Sequence, residues 1–293
     1  MIININKPVP ETSMISDEFD VSRISSYTLF LYAGDDAVAV AVLDPSSAEF
    51  IALQSYSFGQ LKGSADLCNR LANLFSEDML LEKKSYNQVN FCYAGTRATL
   101  VPDPLYHDSG AAALLAFNYK LDPEDQVHTD HLKILGARNI FAVPGDVERM
   151  VSSQYPQATF HHFATPLIES VLLNNKNRDE KIITVHVHLS GFEITVTRRN
   201  ELIFFNSFTY KSTEDFLYYV LFTMEQLQLN PESIPLVFAG SAERSSAIYL
   251  ATQKYIRNIS FAERTNHFSF AGNFEEIPAH FYYILFNQHL CAS

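Results

Sequence analysis

IITVHVHLSGFEITVTRRNELIFFNSFTY, running from Ile182 to Tyr210, reads as three strands joined by two tight turns. In the middle strand Ile194 and Val196 share one side, while Glu193, Thr195 and Thr197 share the other, the two-residue period of a pleated strand. Ser190-Gly191 and Arg198-Arg199-Asn200 supply the turn chemistry. Beyond Tyr210, Phe216, Leu217, Val220, Leu221, Met224 and Leu227 fall on one face of a helix over 213–229. Ser212 and Asp215 form its capping pair, and Asn230-Pro231 stops it. A strand over 236–238 then ends in Ala239-Gly240-Ser241, a helix spans 243–254 and a further strand 258–261. Residues 265–274 read as loop, and 279–290 as a closing helix apolar on most sides.

The same order occurs nearer the N-terminus. Tyr27 to Tyr32 is almost wholly apolar, as a strand covered on both faces is. Gly34-Asp35-Asp36 turns the chain into a strand over 38–43, and Asp44-Pro45-Ser46-Ser47 into another over 50–58. Leu67, Cys68, Leu71, Leu74 and Phe75 mark one face of a helix with Ser64 as N-cap. A fourth strand, 89–93, ends in Ala94-Gly95-Thr96-Arg97. Pro102 and Pro104 make 99–106 extended, and residues 98–135 read as an insertion. Strands over 139–143 and 159–163 flank a helix over 146–154, and Pro166 opens a helix to about Leu173. Residues 1–24 read as a polar tail that adds an edge strand.

The wholly polar run 174–181 is the clearest boundary in the 293 residues. The expected division is a first lobe over 1–177 and a second over 178–293, with the closing helix 279–290 returning to the first. A repeat this long is a duplicated domain rather than a solenoid. At 47% hydrophobic the chain can bury a sizeable core. Its formal charge of −12 repels a phosphate backbone and an anionic lipid surface, so nucleic acid is not expected as a partner. The opening residues lack a signal-peptide pattern, no apolar run suffices for a membrane helix, and Cys68, Cys92 and Cys291 have no paired spacing. These readings predict a cytoplasmic chain with reduced, inert thiols and no direct membrane insertion.

Strand, strand, strand, helix, strand, helix, strand, given twice, resembles the actin-like ATPase superfamily over about 27–290. Thr99-Leu100-Val101-Pro102 and Ile277-Pro278-Ala279-His280 are similar to patterns of an uncharacterised bacterial family of degenerate actin-like proteins. In outline the chain also resembles the actin-like platform proteins of type IV pilus and type II secretion machines. The resemblance implies an α/β fold of two duplicated actin-like (ribonuclease H-like) lobes, each a mixed sheet of about five strands flanked by helices. It also implies a nucleotide cleft between them. There the first turn of each lobe would present backbone N–H groups to phosphate, and an Asp before the first glycine would anchor Mg²⁺.

The cleft turns are therefore the candidate cofactor-binding positions: Gly34, Asp35, Asp36, Gly95, Ser190, Gly191, Gly240 and Ser241. They depart from the superfamily pattern. Leu31-Tyr32-Ala33 precedes Gly34 and His188-Leu189-Ser190 precedes Gly191, so neither turn carries the metal-anchoring Asp. Asp35 and Asp36 follow the glycine and are expected to face phosphate, and their exchange for Asn to leave stability unchanged. Only one glycine of the adenosine-side pair remains, in Ala239-Gly240-Ser241. Arg97 and Arg244 follow the paired Ala-Gly turns and read as surface arginines, with a cleft-facing pair that meets phosphate or carboxylate as the alternative. His186 and His188 share a strand face, and with His161 and His162 raise a zinc site, for which no third spacing exists. His128 and His131 read as solvated around a charged turn. Walker A, GxSxG and HExxH motifs are absent. No catalytic residue and no metal site is expected, and ATP with Mg²⁺ is not expected as a cofactor. The leading expectation is a non-catalytic scaffold or protein-interaction module with a protein partner, compatible with a homo-oligomer. An ATPase or kinase with unusual ligands, and a small-molecule sensor using the cleft, stand as alternatives.

Overall fold

The computed structural model describes residues 8–59 and 61–291. Along the chain come β1 (Thr12–Ile15), β2 (Thr28–Gly34), β3 (Ala37–Asp44), β4 (Glu49–Ser57), α1 (Ser64–Glu77) and β5 (Gln88–Ala94). They are followed by β6 (Ala98–Pro102), α2 (Ala111–Asn118), β7 (Gln126–Leu132), β8 (Ala137–Val143), α3 (Gly145–Gln154), β9 (Ala158–His162) and α4 (Ala164–Asn175). Then β10 (Ile182–His188), β11 (Gly191–Arg198), β12 (Glu201–Phe208), α5 (Thr213–Gln226), β13 (Pro235–Gly240), α6 (Ala247–Thr252) and β14 (Asn258–Phe261) form. The chain closes with β15 (Ser269–Phe270) and α7 (Tyr283–Asn287).

The first sheet runs β1-β4-β3-β2-β5-β9, and the second β12-β11-β10-β13-β14. In each, three antiparallel strands in sequence are extended on the side of the first by two parallel strands. Both sheets also break register at the same place in the repeat, at Val42/Leu43 between β3 and β4 and at Val196/Thr197 between β11 and β12. A shared irregularity of this kind marks the two lobes as copies of one unit.

β2, β3 and β4 are buried on both faces, which fits the near-continuous apolar runs of β2 and β3, while β4 also buries Gln54 and Ser55. One face packs on Leu67, Leu71 and Leu74 of α1 and Val147 and Val151 of α3. The other is covered by the C-terminal segment, where Phe274, Ile277, Leu285 and Phe286 meet Phe30, Ala41, Phe50 and Leu53. In the second lobe, Phe216, Val220 and Met224 of α5 cover Val185, Ile194, Val196 and Phe238. Almost every residue of α4 is buried, and it touches β11, β12, β9 and α7, so it forms the spine between the sheets.

Several local expectations change. Residues 98–143 build their own small sheet, β6-β8-β7, so the 139–143 strand belongs there and not to the main sheet. Ser64 is the first residue of α1 rather than its cap, and its hydroxyl donates to Asp146 on α3 at 2.8 Å. Ser212 does cap α5, accepting from the Asp215 N–H at 3.2 Å. The helix expected over 243–254 is confined to Ala247–Thr252. The closing helix expected over 279–290 is α7 alone followed by a short 3₁₀ turn, because Tyr282 adopts a left-handed backbone with φ of 54°.

Candidate functional site

Gly34-Asp35-Asp36 joins β2 to β3, and Leu189-Ser190 joins β10 to β11. The fold brings these equivalent turns together between the lobes, where they share the lining of a cavity of about 620 Å³ with Gly95, Thr96, Asn139 and His162. Asp36 is buried, with only 3% of its surface exposed. It is turned away from open solvent. Its carboxylate reaches across to the other lobe and accepts from the Ser190 N–H at 2.9 Å, with His188 Nδ1 at 3.4 Å. The expectation that Asp36 is exchangeable without cost is corrected by this geometry, because a buried carboxylate held by two partners is expensive to disturb.

The contact continues as a chain of ionisable groups. His188 Nε2 lies 3.2 Å from Glu193 Oε1, and Glu193 Oε2 lies 2.8 Å from His186 Nδ1. Burial pushes the Glu193 carboxyl up, but the His186 and His188 hydrogen bonds outweigh it and hold the group at about 2. Burial likewise opposes the charge on His188, yet the Asp36 and Glu193 bonds raise it to about 10. Burial pushes Asp36 up, and its bonds to His188 and Ser190 bring it below the ordinary carboxylate range. Asp35, exposed on the other side of the turn, is raised by burial and by the neighbouring Asp36 charge. Tyr32 stands beside the turn, and burial together with Asp36 and Glu193 drives its phenol well up, so it is a neutral hydroxyl there.

The remaining candidate turns close on their own lobes. Gly240 has φ of 78°, and a Cβ there would stand 2.1 Å from the Val187 carbonyl oxygen. Ser241 donates its N–H and its hydroxyl to that same carbonyl, at 2.9 and 3.1 Å. A Cβ on Gly191 would meet the Phe208 carbonyl at 2.5 Å, so this glycine serves the close approach of β11 and β12. The Gly95 carbonyl lies 2.8 Å from His162 Nε2. Burial brings His162 down to about 4, which keeps it neutral at the cleft floor.

Neither arginine lines the cleft. Arg97, just before β6, forms a two-pronged pair with Asp125, just before β7, one prong at 2.7 Å. Arg244 stands over the Phe261 ring at 5.3 Å. The four histidines divide into two sets. His161 and His162 gather around Asp130, Asn139 and Gly95, whereas His186 and His188 gather around Glu193. Among the described residues, no group of three or more His, Cys, Asp or Glu side chains is placed to hold a metal ion. His128 and His131 lie in β7 rather than a solvated turn, each half-buried against a carboxylate, Glu148 at 2.6 Å and Asp103 at 3.1 Å. The buried Asp130 with Thr165 and Asn139 has no sequence motif. Glu193 did carry a signal, as the one charged residue on the Thr195/Thr197 face of β11.

A family model described as a protein of unknown function, DUF3822, matches residues 16–259. The chain belongs to this family. Among solved structures it is similar to a Bacteroides thetaiotaomicron protein with an actin-like ATPase fold and unknown function. That match has 26% identity over 83% of this chain and 93% of that one, with a TM-score of 0.71. It is also similar to a chain of the PilM–PilN type IV pilus biogenesis complex, at 12% identity over 90% of this chain and 97% of that one, with a TM-score of 0.62. The DUF3822 chain thus has the actin-like ATPase fold, in agreement with the strand order read from its sequence. No curated protein matches it. Among the described residues, no helix is long and apolar enough to cross a membrane.

Proposed function

We propose that this protein is a non-catalytic member of the actin-like fold that acts by binding another protein, in the cytoplasm. The observation that carries the reading is the Asp36 carboxylate seated on the Ser190 N–H. In the superfamily pattern that N–H would meet phosphate, and here it is already satisfied by an internal anion. Tyr32 stands in the segment where a metal-anchoring carboxylate would be needed, and no Lys or Arg is among the residues lining the cavity. His188, its charged imidazole, is committed to Asp36 and Glu193. This set does not fit MgATP, whose transfer chemistry depends on neutralising phosphate charge, and no phosphoryl-transfer step is derived from it. PilM, similar in fold, is found in a complex with the protein PilN, which supports a protein as the partner class. The net charge of −12 supports the same choice over nucleic acid.

Thermal unfolding of the purified protein with ATP or ADP, with and without Mg²⁺, tests the negative half. A ligand at 100 times its Kd adds about 2.7 kcal/mol of stability, so unchanged midpoints are the expected result. Saturable ATP hydrolysis that is lost in Asp35→Asn would overturn the reading. Affinity purification from the cells of origin tests the positive half, with reproducible recovery of one protein expected and recovery of DNA or lipid alone counting against it. The cleft cavity favours one second reading, a sensor of a small molecule other than ATP.

A further inference from the structure

The space between the lobes is divided. Beside the cleft cavity lies a second one of about 490 Å³, lined mainly by apolar groups that include Met14, Ala39, Val187, Phe281 and Leu285. Three residues line both cavities: Tyr32, Asp36 and His188. Two of them, Asp36 and His188, also make the cross-lobe contact, so the wall between the cavities and the bond between the lobes share these residues. The bond is made by a side chain of β2–β3 on a backbone N–H of β10–β11, elements that share no sheet.

We propose that Asp36, His188 and Ser190 form a releasable latch between the lobes, and that its opening joins the two cavities into one continuous interlobe groove. The geometry makes the latch separable from the rest of the interface. α4 and α7 hold the lobes together through buried apolar side chains such as Leu167, Ile168 and Ile284. The latch is built from ionisable groups at or beside turns, where the backbone can move without breaking a strand pair. The titratable groups around it come from both lobes. Asp35 follows Gly34 in the same turn, Tyr32 approaches from β2, Glu193 from β11, and His186 backs Glu193 from β10. Within this set His188 is the cation that both Asp36 and Glu193 contact, so loss of its proton leaves the two buried carboxylates facing a neutral ring. The device stands whether the groove serves a protein partner or a small molecule.

Hydrogen exchange of the full-length protein, followed at individual amides at one pH, tests it in Asp36→Ala and Asp36→Asn. Asn keeps an acceptor for the Ser190 N–H but not the charge on His188. The expected result is at least tenfold faster exchange at Ser190 in Asp36→Ala and a smaller increase in Asp36→Asn. Val185 and Ile194, in the strands behind the turn, should keep their protection. Small-angle scattering should show a larger radius of gyration for Asp36→Ala than for the wild type. Unchanged protection at Ser190 in both variants would overturn the latch. An equal loss of protection at Ser190, Val185 and Ile194 would overturn it too, since Asp36 would then be a general stability residue.

Discussion

His188 Nδ1 faces Asp36 at 3.4 Å and its Nε2 faces Glu193 at 3.2 Å, so one imidazole answers to two buried carboxylates. The Glu193 contact lies within one hairpin, five residues away, but the Asp36 contact is invisible to local sequence reading. Gly34-Asp35-Asp36 is ordinary turn chemistry, and such a turn normally exposes its carboxylates. What buries Asp36 is a partner 154 residues away, and no periodicity encodes that pairing. The glycines of the candidate turns were legible, because a tight turn announces itself locally; the identity of the anion on Ser190 was not. The arrangement has a definite pH signature. His188 titrates at about 10 in the fold against an ordinary 6.5, so its contribution is complete below pH 6.5 and fades as pH rises through 10. Glu193, held at about 2, contributes above its ordinary 4.5 and fades only as pH falls toward 2. The cluster is therefore strongest between about pH 4.5 and 6.5. Urea unfolding of the wild type and His188→Asn at pH 6 and pH 9 checks this. The stability gap between them should shrink by roughly 2–3 kcal/mol at the higher pH. A gap that is the same at both would show that folding does not shift the titration of the imidazole.

Elements were legible where their pattern was local and opaque where a neighbour defined them. The three-strand runs 27–58 and 182–210 declare themselves by continuous or alternating apolar residues between turns, and the sheet orders follow from them. The strand at 139–143 has an equally good pattern, but its partners are β6, the extended, edge-like stretch around Pro102, and β7, and neither pairing is encoded locally. The closing helix is shorter than its apolar run because Tyr282 takes a left-handed conformation, and its hydroxyl bonds to Thr12 and Ser55 at 2.7 and 2.8 Å. At this scale the turn after β13 gives a sharp test. Gly240 is both at positive φ and pressed on the Val187 carbonyl at the end of the neighbouring strand β10. Gly240→Ala must strain the backbone and push β10 and β13 apart at one end, at a cost of about 2–4 kcal/mol. Gly272→Ala, with nothing near its Cβ position, serves as the control and should be nearly neutral. Equal unfolding midpoints for the two variants would remove the packing role given to Gly240.

At the scale of the molecule, the first lobe is completed by residues from the far end of the chain. After β14 the backbone leaves the second sheet, adds β15 in parallel to β4, and lays Phe274, Ile277, Leu285 and Phe286 on the outer face of β2, β3 and β4. Phe286 sits at the middle of that layer, its ring centroid 4.9 Å from Phe50 and 5.0 Å from Phe270, with the Arg264 guanidinium 5.9 Å away. The acidic chain thus spends one of its few arginines on capping an aromatic cluster, where Arg264 also donates to the Ile277 carbonyl at 2.7 Å. Because this cover comes from residues after the second sheet, the outer face of the first sheet stays uncovered until that segment docks. Phe286→Ala should therefore cost about 3–5 kcal/mol, the range for emptying a fully enclosed aromatic site. The loss should fall first on the first lobe. Amide protection at Ala41 and Leu53, under the vacated ring, is expected to drop well before that at Val185 and Ile194 in the second sheet. If the two sheets lost protection together, the C-terminal segment would be a joint core for both lobes rather than a cover for the first. If neither did, the aromatic layer would be a surface ornament with no part in holding β2, β3 and β4.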